Sequence, residues 1–245
     1  MSKIEWTEKT RNPVTGCTKE SAGCVHCYAE TMANRLKAMR IKKYANGFSP
    51  TLHPESLAEP LEWKTPYMIF VCSMADLFHK SVPFEFIDSV MNVIHQTPQH
   101  RYQILTKRPE RMAEYFSNRK IPQNAWLGVT VENVAAKSRI DILRKMDAPV
   151  RFLSCEPLLE DLGQLDLINI NWLIVGGESG VQARPMQPEW VRAIRDQCLN
   201  NDIPFFFKQW GTWGSDGIKR NKKANGKLLD GEIYHMMPWL FPEMR

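Results

Sequence analysis

Six short, continuously apolar runs set the limits on what this chain can fold into. They are 67–72 (YMIFVC), 102–106 (YQILT), 125–131 (AWLGVTV), 150–155 (VRFLSC), 171–175 (NWLIV) and 204–208 (PFFFK). Runs this short read as strands, and their lack of polar alternation implies burial on both faces, the habit of parallel sheets covered by helices. The intervening segments supply those helices. Apolar residues at helical spacing predict helices over 26–43, 83–97, 109–117, 133–146 and 188–200, with Pro83 inside the first turn of its helix. The stretch PLLEDLGQL after residue 156 reads as irregular, and the segment up to Val14 as a weak first strand. The expected fold is α/β, a partial (β/α) TIM-type barrel of about six to seven parallel strands. It would occupy residues 1–210, with 211–245 as an extension capping it.

Each apolar run ends on polar residues. The ends carry Ser73 to Asp76, Lys107 and Arg108, Thr130 to Asn133, Glu156, Gly176 to Ser179, and Lys208 to Trp210. In a β/α barrel the carboxyl ends of the strands share one rim, and the active site is assembled there. Asp76, Lys107, Glu132, Glu156, Glu178 and Lys208 are therefore expected to ring one cavity. Helix N-capping is the simpler role for Asp76 and Glu132, since both precede predicted helices.

The most specific chemistry lies upstream of all this. Cys17, Cys24 and Cys27 fall within eleven residues, in NPVTGCTKESAGCVHCYAE. Three sulfur ligands on one loop hold a metal centre while leaving a coordination position open. A disulfide would strand one of the three, and no apolar leader precedes them, so a reducing compartment, the cytoplasm, is expected. A zinc site remains open as an alternative because His26 gives Cys-x6-Cys-x-His-Cys. Against it, adjacent side chains close poorly on one ion, and no later Cys-x2-Cys pair occurs. Cys72, Cys155 and Cys198 sit singly in or beside apolar runs and suit core packing.

The spacing Cys-x6-Cys-x2-Cys-Tyr resembles the cluster loop of radical S-adenosylmethionine (SAM) enzymes, where Cys-x3-Cys-x2-Cys is commoner. The whole series NPVTGC, GCxxCYA, CSMADLF, ILTKRPER, GVTVEN, SCEPLL, IVGGESG and FFFKQWG resembles the bacteriophage Gp37/Gp68-like family of radical-SAM-like proteins. The order of strand-end motifs is also loosely similar to the spore photoproduct lyase branch, which acts on a damaged DNA base. This resemblance implies a [4Fe-4S] cluster on Cys17, Cys24 and Cys27, with SAM on the remaining iron, cleaved reductively to a radical that abstracts hydrogen from substrate. It further implies an electron donor such as a flavodoxin or ferredoxin. By position, Ser73 and Asp76 would meet the SAM amine, Lys107 or Arg108 its carboxylate, Thr130 or Glu132 the ribose, and Tyr28 the adenine. Glu156, Glu178, Lys208 and Trp210 are left for substrate and catalysis. The Gly-Gly-Glu motif that many such proteins carry after strand two is absent there, and Gly176-Gly177-Glu178 after a later strand does not inherit its role. Those glycines suit close backbone approach.

Composition narrows the partners. With 245 residues, 43% hydrophobic and 24% charged, the chain affords a sizeable core, and no apolar run is long enough to span a membrane. A net charge of +5, concentrated in patches such as IKRNKKANGK, permits a nucleotide or nucleic acid substrate. In the tail, Trp213, Tyr234 and Trp239 interleave with lysines and would either stack on bases or pack inward as the cap. The alternative to an enzyme is a zinc-stabilised nucleic-acid-binding protein without redox chemistry.

Overall fold

A computed structural model describes residues 4–238. The chain divides into two compact units, one formed by residues 1–129 with 145–149 and the other by 130–144 with 150–245.

The first unit opens with β1 (Lys9–Arg11) and β2 (Val14–Thr15), then α1 (Tyr28–Ala38), β3 (Thr51–Leu52), β4 (Met68–Val71), α2 (Phe84–Gln96), β5 (Arg101–Thr106), α3 (Pro109–Phe116) and β6 (Ala125–Thr130), whose last residue belongs to the second unit. β1 pairs in parallel with β4, β4 with β5, and β5 with β6, while β2 and β3 form a separate antiparallel pair. Every residue of β6 is buried, as its unbroken apolar sequence requires. α2 turns Ile87, Val90, Met91 and Ile94, spaced three and four apart, into the core. Each such side chain contributes about 1.5–3 kcal/mol relative to exposure. Pro83 is the residue before this helix, in extended backbone, and not part of its first turn.

The second unit contains α4 (Ser138–Leu143), β7 (Val150–Cys155), β8 (Trp172–Gly176), α5 (Pro188–Asn200), β9 (Phe205–Gln209) and the short α6 (Lys222–Asn225). β7 pairs in parallel with β8, and β8 with β9. Residues 234–236 then run antiparallel beside β9: Phe207 N donates to Tyr234 O at 2.7 Å and Met236 N to Phe205 O at 3.2 Å. His235 stacks on Phe206 with ring centres 4.4 Å apart. This supplies partners to backbone groups of an edge strand that water would otherwise meet.

The strand order is β1-β4-β5-β6-β7-β8-β9, and the fold is α/β with the seven parallel strands of a partial TIM-type barrel. Two expected helices are shorter than the periodicity suggested. The segment 26–43 is helical only to Ala38, because Arg40 adopts φ 58 and a 3-10 turn at Lys42–Tyr44 follows. The segment 133–146 starts with extended Asn133, whose side chain accepts from Ala136 N at 3.1 Å and caps a 3-10 turn before α4. A side chain that competes for backbone donors delays the α-helix, and Pro149 disfavours helical backbone at Ala148.

Candidate functional site

The cysteine loop is tied down where it leaves β2. Gly16 takes φ +79, and a Cβ there would lie 2.3 Å from Ser49 O, so only glycine lets the chain turn this close to the neighbouring backbone. Gly16 N donates to Met74 O and Cys17 N to Phe48 O, both at 3.0 Å. At the far end Cys27 precedes α1, and the Tyr28 hydroxyl donates to Ser73 O. Ser73 Oγ and Met74 N both donate to Asn12 Oδ1 at 3.1 Å, joining the end of β4 to the end of β1.

Asp76 organises the floor beneath the loop. Its Oδ1 accepts from Phe78 N at 2.9 Å and the Thr106 hydroxyl at 2.7 Å; its Oδ2 accepts from Lys107 N at 3.1 Å and Arg108 Nη1 at 2.9 Å. Four donors around one buried carboxylate make it a strand-end clasp. It is not a helix N-cap, the role the simpler reading gave it; the residue capping α2 is Pro83. Arg108 carries the connection onward. Its Nη2 donates to Thr18 O at 3.0 Å and pairs with Glu20 at 3.1 Å, while Nη1 stands 3.5 Å from Cys17 Sγ. Burial raises the Cys17 thiol above its ordinary value and the Arg108 charge pulls it back. His79 completes the support. Its Nδ1 accepts from Ser81 N at 3.1 Å, so Nε2 carries the proton and donates to the Thr18 hydroxyl at 2.8 Å.

Cys17, Cys24 and Cys27 are free thiols at intermediate exposure, whereas Cys72, Cys155 and Cys198 are buried. Burial pushes the Cys72 and Cys198 thiols up to about 12, and Cys155 well above its ordinary value, as expected of packing residues. In donor type, freedom and access the loop cysteines fit an iron–sulfur centre. Their placement does not itself form one: among the described residues, no three His, Cys, Asp or Glu side chains are gathered to hold a metal ion.

The remaining predicted residues lie in the second unit, where the three carboxylates Glu132, Glu156 and Glu178 each have a basic partner. Lys208 Nζ is 2.8 Å from Glu156 Oε1, in a space kept open because a Cβ on Gly176 would come within 2.6 Å of that oxygen. Glu178 receives Arg184 at both oxygens, through Nε at 2.9 Å and Nη2 at 2.6 Å, and also Arg184 N at 2.8 Å. Glu132 is fully buried and meets Arg139 Nη1 at 2.9 Å, and the same nitrogen donates to Thr130 O at 2.7 Å. Glu132 is likewise no N-cap; Asn133 fills that position. Gly177 and Gly211 allow two strand-end backbones to touch, since a Cβ on Gly177 would lie 1.9 Å from Trp210 O. Trp213 donates to Ala183 O at 2.6 Å and Trp210 to Leu228 O at 2.8 Å, so both indoles are engaged within the unit. Trp239 lies outside the described residues.

Sequence reasoning missed Thr18, His79, Arg139 and Arg184. Thr18 stood inside the cysteine run, next to Cys17, and His79, in ADLFH, just after Asp76.

A family model described as "Protein of unknown function (DUF5131)" matches residues 1–238. The chain belongs to this family. No curated protein matches it. Similar solved structures include "Spore photoproduct lyase complexed with dinucleoside spore photoproduct", at 11% identity and a TM-score of 0.46 over 75% of this chain and 58% of that one. A mutant of spore photoproduct lyase "with bound AdoMet and dinucleoside spore photoproduct" is similar at 12% identity and a TM-score of 0.46, over 77% and 60%. The chain thus spans less than two thirds of the length of these structures. Among the described residues, no helix is long and apolar enough to cross a membrane.

Proposed function

We propose that this DUF5131 chain is a radical SAM enzyme acting on a nucleobase, nucleotide or nucleic acid in the cytoplasm. The observation that carries the reading is the loop of three free, accessible thiols in the spacing Cys-x6-Cys-x2-Cys-Tyr, clamped to the strand ends by Arg108. Cys17, Cys24 and Cys27 would hold a [4Fe-4S] cluster, which supplies the electron for reductive cleavage of bound SAM and so the means of hydrogen abstraction from substrate.

The protein's own residues orient and shield. Asp76 and Arg108 fix the loop, and the Ser73 carbonyl holds the Tyr28 ring at its edge. Of the residues assigned to SAM, Ser73, Lys107, Tyr28, Thr130 and Glu132 keep those roles in the proposal. Asp76 and Arg108 are spent chiefly on each other. Glu156 and Lys208, set 2.8 Å apart, are a coupled acid and base for substrate, with Glu178 beside Gly177. Convergence of these groups on one rim, the capping role of 211–245, the Gp37/Gp68-like affinity and an electron donor of the flavodoxin or ferredoxin kind belong to the same reading.

Metal content after anaerobic purification tests it. About four irons with matching sulfide per chain are expected for a single [4Fe-4S] cluster. One zinc and no colour would replace this reading with a zinc-stabilised nucleic-acid-binding protein.

A further inference from the structure

Residues 31–53 carry five basic side chains, Arg35, Lys37, Arg40, Lys42 and Lys43, and no acid; residues 54–63 carry three acids, Glu55, Glu59 and Glu62, and no base. The basic block covers the C-terminal half of α1 and the 3-10 turn Lys42–Tyr44, and the acidic block the 3-10 turns Pro54–Ser56 and Glu59–Glu62. The fold sets the two blocks side by side, because Lys43 Nζ donates to Ser56 Oγ at 2.9 Å. Arg35, Lys37, Arg40 and Lys42 are exposed, and so are the three glutamates. Of these, only Glu55 is paired among the described residues, with His53 Nδ1 at 3.3 Å. Apolar side chains stand among the charges. Met32 and Met39 on α1, Ile41 just after it and Leu61 within the acidic block are 42–59% exposed. Single exposed apolar residues are ordinary, but several of them set among unspent charges of both signs make an interaction surface.

We propose that a second copy of this chain docks here, about a twofold axis that sets the basic block of each protomer against the acidic block of its partner. In a twofold contact one patch meets its own image, so it must be self-complementary. A surface of one sign repels that image. A surface that is basic at one end and acidic at the other attracts it once turned through 180°, and pairs both ends at the same time. The same reasoning argues against a polyanion or an acidic protein as the occupant: either would match Arg35, Lys37, Arg40 and Lys42 but be repelled by Glu55, Glu59 and Glu62 beside them. Exposed ion pairs add little net affinity, so the charges choose the partner and the register. Met32, Met39, Ile41 and Leu61 supply the apolar area that holds the contact, and Met and Arg are both enriched where proteins meet. None of these residues belongs to the cysteine loop, and the contact is independent of any metal there.

Sedimentation velocity of the full chain over a concentration series, at low and high salt, tests the proposal with two charge-reversed variants, Arg40→Glu/Lys42→Glu and Glu59→Lys/Glu62→Lys. The unaltered chain should form a species of twice its 28.4 kDa that added salt weakens. Each variant alone sets like charges opposite one another and should dimerise at least about tenfold more weakly. Mixed in equal amounts the two should associate again, since one then presents acids along the whole patch and the other bases. That recovery also shows that both variants are folded. A chain that stays monomeric throughout, a dimer indifferent to both variants, or two monomeric variants that do not associate when mixed would each overturn the proposal. So would a monomeric chain that binds single-stranded DNA and loses it in Arg40→Glu/Lys42→Glu, which would assign the basic block to nucleic acid.

Discussion

Asp76 and Glu178 are both buried carboxylates just beyond a strand end, and each holds an arginine, but the two arginines come from different distances. Arg184 lies six residues after Glu178 and contributes its backbone N–H to the same oxygen as its guanidinium, so that pair closes a local turn. Arg108 lies 32 residues from Asp76 and continues to Thr18, 90 residues away in sequence. Closing loops of that length costs chain entropy that a turn does not, and a buried ion pair adds little net stability by itself. The long-range pair is therefore better understood as specifying where the cysteine loop sits, and the local pair as neutralising a buried acid at the strand end.

If the loop beside Arg108 is the metal-holding part of the molecule, thiols there and thiols elsewhere must behave differently. Cys17→Ala, Cys24→Ala and Cys27→Ala should each abolish cluster binding, while Cys72→Ala, Cys155→Ala and Cys198→Ala should leave iron content unchanged after anaerobic reconstitution. This is the largest effect expected. Full iron retention in Cys17→Ala would remove the six-residue gap from the ligand set and with it the main support for the proposed function.

The carboxylates sharpen the comparison next. Asp76→Ala removes the acceptor for four donors, and Arg108, with its side chain only 10% exposed, has little access to replacement water. The loss should reach about 3–5 kcal/mol of unfolding free energy. Glu178→Ala should cost less, about 2 kcal/mol, because the Arg184 side chain is 32% exposed and can turn to solvent. Denaturant titration of the two variants settles it; equal losses would mean that the reach of Arg108 to the loop has no energetic consequence.

What could be read in advance follows the same division between local and distant. All six apolar runs became strands, because a buried parallel strand needs nothing but its own continuous apolar sequence. The helix at 188–200 also matched the structure, with Pro188 at its start and Asn200 at its end. Helix ends failed where a non-glycine residue does what glycine usually signals: Arg40 turns the chain at φ 58 with nothing in its identity to announce it. At the site, the three cysteines were legible because their ligand spacing is local. The placement of Arg108 on Thr18 and of His79 on the same hydroxyl was not, since each joins segments that only the parallel order of β1, β4 and β5 brings side by side.

The smallest expected effect concerns acid, and it should separate the two units. His53, His79 and His100, all in the first unit, are held below the ordinary histidine value, burial being the main cause in each. In His79 and His100 the reason is visible in the bonding, since Nδ1 accepts a backbone N–H, from Ser81 and from Tyr67 at 3.2 Å, and would lose that bond on protonation. A folded-state value below the unfolded one means that the unfolded chain takes up protons first as pH falls. The stability these histidines contribute is complete above about pH 6.5 and drains away as pH drops through that value toward the lower folded one. In the second unit, Asp216 and Asp230 are held down to about 2 by Arg220 and by Arg192 with Arg195. Their stabilisation starts to fade only below the ordinary carboxylate range, near pH 4. Hydrogen exchange between pH 7 and 5 should therefore show protection falling in β1, β4 and β5 before β7, β8 and β9. The double variant His79→Gln/His100→Gln, which keeps polar side chains that do not titrate, should flatten the acid response of the first unit alone. Simultaneous loss of protection in all the strands would show that the buried histidines do not set the acid response.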